Sequence, residues 1–378
     1  MMDALIDTHN QPALAIQGLL RKLLESGAVD ALLVPMALPA GNTTPMLVTD
    51  PAALDRAQPL TPLLPINAAR AASQLTLTGH ASKLGLVLRA CEIRALVELV
   101  KFQQAKLDNA LIIGIDCLGA YPVADWQAAP DREKALEQML AQAPGGDLAP
   151  VAGLEFRVAC RICELPLPEG PHVALTLGLV GVESGQLYVQ ARDDLAQALE
   201  LTPAATPAGA PAGRKAARDK LVAARTQARD EAFAAIRART NSMDGLLAEF
   251  STCIRCHNCM TNCPICYCRE CIFHTPTFEH ESQLYFQWAE RKVSVRRLSD
   301  TLLFHLTRLN HMATSCVGCG VCTEACPVDI PVGTLFRSVG QQVQAIFDYH
   351  PGRSLDEAAP VQEFREDELT TLGTRPHA

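Results

Sequence analysis

No apolar run in this sequence approaches the length of a membrane-spanning helix, which needs about 20 consecutive apolar residues. The N-terminal stretch MMDALIDTHNQPALAIQ lacks the basic segment followed by an apolar one that marks a secretory signal. There is no basic excess either. The chain carries 33 Lys and Arg against 41 Asp and Glu, a net charge of −8, which argues against a general nucleic-acid surface and fits protein partners. No G-x-G-x-x-G occurs, so a Rossmann nicotinamide site has no support. Nor is there a signature for molybdenum, tungsten, nickel, haem or an activated nucleophile. Any substrate chemistry that needs one of these belongs on another chain.

What the 378 residues do have is cysteine, 15 in all. The odd number and ligand-like spacings argue against a secreted disulfide framework and for a reducing, cytoplasmic setting. Cys253, Cys256, Cys259 and Cys263 stand at C-x2-C-x2-C-x3-C, followed by Pro264. Cys316, Cys319, Cys322 and Cys326 repeat the spacing, followed by Pro327. This is the ligand run of bacterial two-cluster ferredoxins, in which the fourth Cys of each run ligates the other cluster. Two 4Fe-4S clusters are therefore expected, one on Cys253, Cys256, Cys259 and Cys326, the other on Cys316, Cys319, Cys322 and Cys263. Thiolates are soft ligands that suit iron–sulfur clusters. Zinc sites usually separate their C-x2-C pairs by a longer stretch.

With 48% hydrophobic residues the chain has ample core. The fold class read from the pattern is an α/β domain with a mainly parallel sheet, followed by a helix-rich, ferredoxin-like dicluster domain. Residues 1–200 form the α/β domain, 201–242 a linker and connecting helix, 243–353 the cluster domain and 354–378 a polar tail. Residues 11–27 read as an amphipathic helix, and 31–38 and 46–49 as strands. Residues 85–88, 92–106 and 111–116 read as strand, helix, strand, a βαβ unit with parallel strands. The polar stretch 122–150 reads as a surface excursion, and FRVA (156–159), 173–181 and 187–190 as strands. Residues 202–213 are Pro/Ala/Gly-rich, and 214–240, 243–250, 284–313 and 333–352 read as helical.

In open α/β sheets, ligands sit beyond the carboxyl ends of the strands. Arg89, Cys91, Glu92, Arg94, Asp116 and Cys117 all fall at that edge. The plain alternative for Cys91 and Cys117 is that they are small buried apolar residues. Cys160 and Cys163 form an isolated C-x2-C, half of a metal site or a redox pair. Cys266, Cys268 and Cys271 crowd into PICYCREC. A third cluster is open to these residues, with Cys160 and Cys163 joining two or three of Cys266, Cys268 and Cys271. The alternative is that PICYCREC folds near the first cluster with protonated thiols. His257, His305 and His311 near the runs read as packing or surface histidines, the alternative being that they tune the cluster potentials.

The blocks LRACEIRALVELVKFQQAKLDNALIIGIDC (88–117), CRICELPLPEGPHVALTLGLVG (160–181) and CIRCHNCMTNCPICYCRECIF (253–273) resemble the beta-subunit family of deazaflavin-reducing hydrogenases and formate dehydrogenases. The likeness is closest to the formate dehydrogenase branch, with its C-terminal dicluster domain. It implies FAD on the α/β domain, with Arg89, Cys91, Glu92 and Arg94 in the flavin neighbourhood and Asp116 beside them. It also implies a catalytic redox subunit as partner and a deazaflavin or nicotinamide carrier. The chain departs from the hydrogenase branch in having no N-terminal ferredoxin run. The expected function is an electron-transfer subunit relaying electrons between FAD and a catalytic partner. The alternatives are a self-contained flavin oxidoreductase and a non-redox scaffold with structural metal.

Overall fold

The computed structural model describes residues 1–77, 82–203, 212–268, 270–278, 281–293 and 300–364. Strands β1 (Met2–Asp7), β2 (Ala31–Ala37), β3 (Thr43–Val48), β4 (Leu84–Arg89), β5 (Ala110–Ile115), β6 (Val173–Gly178) and β7 (Gln186–Ala191) form one sheet in the order β1-β7-β6-β5-β4-β2-β3. The centre, β2-β4-β5-β6, is parallel. The edges are antiparallel, β3 on β2 at one side and β7 and β1 beyond β6 at the other. The expected α/β domain is therefore present, with a parallel core inside antiparallel margins.

Every residue of β4 and β6 is buried, as expected of parallel strands covered on both faces. Pro35 marks where β2 leaves its parallel partner. It has no N–H to donate, and the β2–β4 register ends at Leu33↔Leu86. The helix Pro12–Glu25 packs Ile16, Leu20 and Leu23 on one face of the sheet, against Val87, Ile113 and Leu177. The helix Ala90–Lys101 and the C-terminal half cover the other face. There Leu86, Leu88 and Leu96 share one apolar core with Phe304, Val332 and Phe336. The dicluster region is thus built onto the sheet, not hung beside it.

Three expectations need correction. The helix that starts at Ala90 stops at Lys101, because Gln103 takes φ +58° and turns the chain. The stretch 122–150 is not a bare excursion. It holds the helices Val123–Ala128 and Arg132–Gln142, which bury Trp126, Ala135 and Met139. FRVA is not a strand, and a short helix, Val158–Arg161, begins there. The tail is docked at its start: Ala359 is fully buried and Gln362 Nε2 donates to the Lys101 carbonyl at 2.6 Å. The helix Ala212–Arg239 follows the Pro/Ala/Gly stretch, of which 204–211 lie outside the described residues. The 284–313 segment is two helices, Ser282–Lys292 and Thr301–Met312, and 294–299 lie outside the described residues.

Candidate metal centres

The two cysteine runs fold alike because the backbone bends at matching places. In the first run Arg255 and His257 take φ +55° and +60°. In the second, Gly318 and Gly320 take +72° and +70°. A left-handed residue two and four places after the first Cys turns each loop inward on its thiols, and a one-turn helix follows. Asn258–Thr261 carries Cys259, and Val321–Glu324 carries Cys322. Glycine is needed at 320 for a second reason. A Cβ there would lie 2.2 Å from the Ala159 Cβ, so the second run touches the segment that carries Cys160.

The thiols fall into sets. Burial raises the Cys253 thiol above its ordinary value, and Cys326 and Cys256 add to the rise. Burial also raises Cys259; Arg308 opposes this, and Cys253, Cys256 and Cys326 reinforce it. The second set behaves in the same way. Burial and then Cys263 push Cys319 up to about 12, and burial and Cys263 likewise raise Cys316 and Cys322. Cys263, Cys316, Cys319 and Cys322 line one apolar cavity. Cys263 thus lies within electrostatic reach of Cys316, Cys319 and Cys322, and Cys326 within reach of Cys253 and Cys259. Among the described residues no group of three His, Cys, Asp or Glu side chains is spaced to hold a single ion.

The structure draws a further set together from three segments. Cys91 follows β4, Cys117 follows β5, and Cys160 and Cys163 come from the loop before β6. Burial raises the Cys91 thiol well above its ordinary value, and Glu92, Cys117, Cys319 and Cys163 add to it. Burial pushes Cys117 up to about 11, against Arg89 and with help from Cys160 and Cys163. Cys160 and Cys163 thus lie within electrostatic reach of Cys117, and Cys163 within reach of Cys91. Cys91, Cys160 and Cys319 pack on the same small apolar cluster of Leu64, Ala120 and Val321. Arg157 clamps the junction, donating from Nη1 to the Leu64 carbonyl and from Nη2 to the Cys319 carbonyl, both at 3.3 Å, with Glu324 3.3 Å from its Nε.

PICYCREC stays with the dicluster region. The Cys266 amide donates to the Cys263 carbonyl at 3.2 Å, and the Cys271 sulfur lies 3.8 Å from the Met260 sulfur. Burial and then Cys263 push the Cys266 thiol up to about 11; Arg308 opposes this, and Cys268 and Cys271 add to it.

Of the residues expected around a flavin, Arg89 and Glu92 line a pocket with Thr43, Thr44 and Ile115, and the Arg89 Nη1 is buried without a hydrogen-bond partner. The Asp116 oxygens accept from the Leu179 and Val180 amides, both at 2.9 Å, and from Arg214 at 2.7 and 2.9 Å. Glu92 accepts from the Ala68 and Arg89 amides, both at 2.9 Å. Arg89 is buried and holds the Thr61 carbonyl through Nη2. Arg94, half-buried, lines a separate pocket with His350, Gly352 and Arg353. These side chains fasten the sheet edge, and Cys91 faces thiols.

Two residues that sequence reasoning set aside or missed lie against the first set. His305 Nε2 is 3.3 Å from the Cys253 sulfur, with its ring stacked on Phe250 at 3.9 Å. Arg308 Nη1 donates to the Cys259 sulfur at 3.1 Å. The available signal was their spacing of three on one helix, which puts both on one face.

Residues 249–330 match the family of 4Fe-4S dicluster domains. The chain is 23% identical over 295 residues to the F420-dependent formate dehydrogenase subunit beta of Methanocaldococcus jannaschii, covering 71% of this chain and 74% of that protein. It is 24% identical over 306 residues to the F420-dependent formate dehydrogenase 1 subunit beta of Methanococcus maripaludis, covering 74% and 75%. No helix among the described residues is long and apolar enough to cross a membrane. This is an iron–sulfur protein with a C-terminal 4Fe-4S dicluster domain, similar over most of its length to the beta subunits of F420-dependent formate dehydrogenases.

Proposed function

We propose that the chain relays electrons through three 4Fe-4S clusters, from the edge of the α/β domain to the protein surface. The ligand sets are Cys91, Cys117, Cys160 and Cys163; then Cys263, Cys316, Cys319 and Cys322; then Cys253, Cys256, Cys259 and Cys326. The observation that carries the reading is that Cys91, Cys160 and Cys319 rest on one apolar cluster, so the first two sets adjoin. The exchange of Cys263 and Cys326 between the runs joins the second set to the third. Cys256 is exposed, which gives the last set a face to a partner.

The partner is a catalytic redox subunit of the formate dehydrogenase kind, as the relatives' names suggest, and a deazaflavin is the carrier that those names favour over a nicotinamide. When bound, the clusters supply one-electron chemistry. The chain's own part is to space them, exclude water and tune them. Asp116 is committed to the Leu179 and Val180 amides and to Arg214, while Arg89 keeps an unpartnered Nη1 on the pocket that it lines with Glu92, where an anionic group of an FAD would be held if one binds. The reducing, cytoplasmic setting follows from the need to keep the thiols reduced until clusters are loaded.

The test is an anaerobic reductive titration of the purified chain. One electron per cluster gives about three equivalents. Formate alone reduces none of them, because that chemistry sits on the partner. Uptake of no electrons, or direct reduction by formate, would refute the relay.

A further inference from the structure

The helix Thr301–Met312 packs Phe304 and Met312 into the apolar core and exposes Leu303 and Leu306, at 52% and 40%. On the same buried face it encloses His305 and Arg308, at 1% and 3%. Polar nitrogens buried in an apolar core are costly unless they are satisfied. What lies opposite must satisfy them.

Arg308 identifies what that is. Its Nη1 donates to the Cys259 sulfur at 3.1 Å and its Nη2 to the Cys259 carbonyl at 3.0 Å. Its guanidinium lies between the rings of Phe304 and Phe336, 5.7 and 5.1 Å from their centres. Arg308 also lines the apolar cavity that holds Cys263, Cys316, Cys319 and Cys322. It therefore touches a ligand of one cluster and the chamber of the other. Its Nε has no hydrogen-bond partner, and no carboxylate pairs with it among the described residues. A guanidinium buried this deeply is costly without a counter-ion. The anions within its reach are cysteine sulfurs of loaded clusters.

We infer that Arg308 is the shared counter-charge of both clusters of the dicluster domain, and that it lets the pair hold two electrons at once. This rests on the relay reading. A donor such as formate releases two electrons and a proton as it becomes carbon dioxide. The proton stays at the donor's site, each cluster takes one electron, and no bond to this chain is made or broken. Two adjacent clusters, each made more negative by an electron, repel one another. A fixed positive charge beside both offsets the added negative charge at each and raises both midpoints, which brings the second reduction within reach of the same donor. A hydrogen bond from a cation to a ligand sulfur acts in the same direction, favouring the reduced state.

The experiment is an EPR-monitored redox titration of the full chain, as wild type, Arg308→Gln and Arg308→Lys, with iron measured in each. Arg308→Gln should lower both midpoints by at least tenfold in the one-electron equilibrium, about 59 mV. The spin-coupled spectrum of the doubly reduced pair should vanish at potentials where the wild type shows it. Arg308→Lys keeps the charge without the fork, and its midpoints should stay within threefold of wild type. A loaded glutamine variant with unmoved midpoints, or with only one moved, overturns the inference. If glutamine prevents loading, the lysine variant decides: midpoints beyond the threefold limit overturn it. A wild type without reducible clusters would instead sink the relay reading, which is a different result.

Discussion

Removing two thiols of the set at the sheet edge tests the grouping most sharply. Cys160→Ala with Cys163→Ala deletes half of the ligands proposed for the α/β cluster and touches neither ferredoxin run. Both residues are only half-buried, in the turn around the short helix Val158–Arg161, where the Cys163 amide reaches the Cys160 carbonyl at 3.4 Å. Truncating each costs about 1 kcal/mol of packing, as is typical of point substitutions. Against a stability of about 5–15 kcal/mol the fold survives. The iron content of the anaerobically purified chain should fall by about four per chain, from about twelve to about eight, at four iron per cluster. The two dicluster EPR signals should persist at their wild-type potentials. The matched control is Cys266→Ala with Cys268→Ala, which should leave the iron unchanged. If the first pair keeps all its iron while the control loses about four, the third cluster belongs to PICYCREC and the grouping argued here is wrong.

Other outcomes follow from single contacts. Gly320→Val puts a side chain where φ is +70° and where a Cβ would lie 2.2 Å from Ala159, so the second run is forced off the Cys160 segment. Thermal unfolding should show a loss of about 2 kcal/mol or more, and the α/β cluster should become easier to bleach in air. Asp116→Asn leaves Arg214 buried without its partner at 2.7 Å and should cost about 3 kcal/mol in a urea melt. Glu164 carries the acid sensitivity of the interface. Burial opposes its charge, but the Arg337 guanidinium outweighs burial and holds the carboxyl below its ordinary 4.5. A carboxylate held low contributes stability above its unfolded pKa, and loses it as pH falls through the folded value. The wild type should thus lose about 1–2 kcal/mol more than Glu164→Gln between neutral pH and pH values below 4.5, and equal acid slopes would remove Glu164 from the account.

The parts of the molecule visible in the sequence are those whose signals are local. C-x2-C-x2-C-x3-C-P fixes four thiols within a few residues, and the motif alone leads to the expectation that the runs exchange their fourth Cys. The βαβ unit was legible because β4 and β5 are short continuous apolar runs flanking a helix with one apolar face. The thiol set proposed at the sheet edge was only half legible. The rule for strand ends brings Cys91 and Cys117 to one edge, but the loop that returns Cys160 and Cys163 to that edge depends on tertiary packing. FRVA misled because two apolar residues alternating with Arg mimic a strand, while Phe156 in fact packs against Tyr121 at 4.8 Å. The helices at 123–142 bury few apolar residues, so their periodicity was too weak to read.

The central claim is that three thiol sets, and not two, hold clusters in a row. Iron and acid-labile sulfide measured together on the anaerobically purified full chain test it most directly. The account predicts about twelve of each per chain, at four of each per cluster, with zinc absent. About eight of each would leave the α/β set as ordinary buried cysteines and confine the relay to the dicluster domain, and zinc in place of iron would contradict the account altogether.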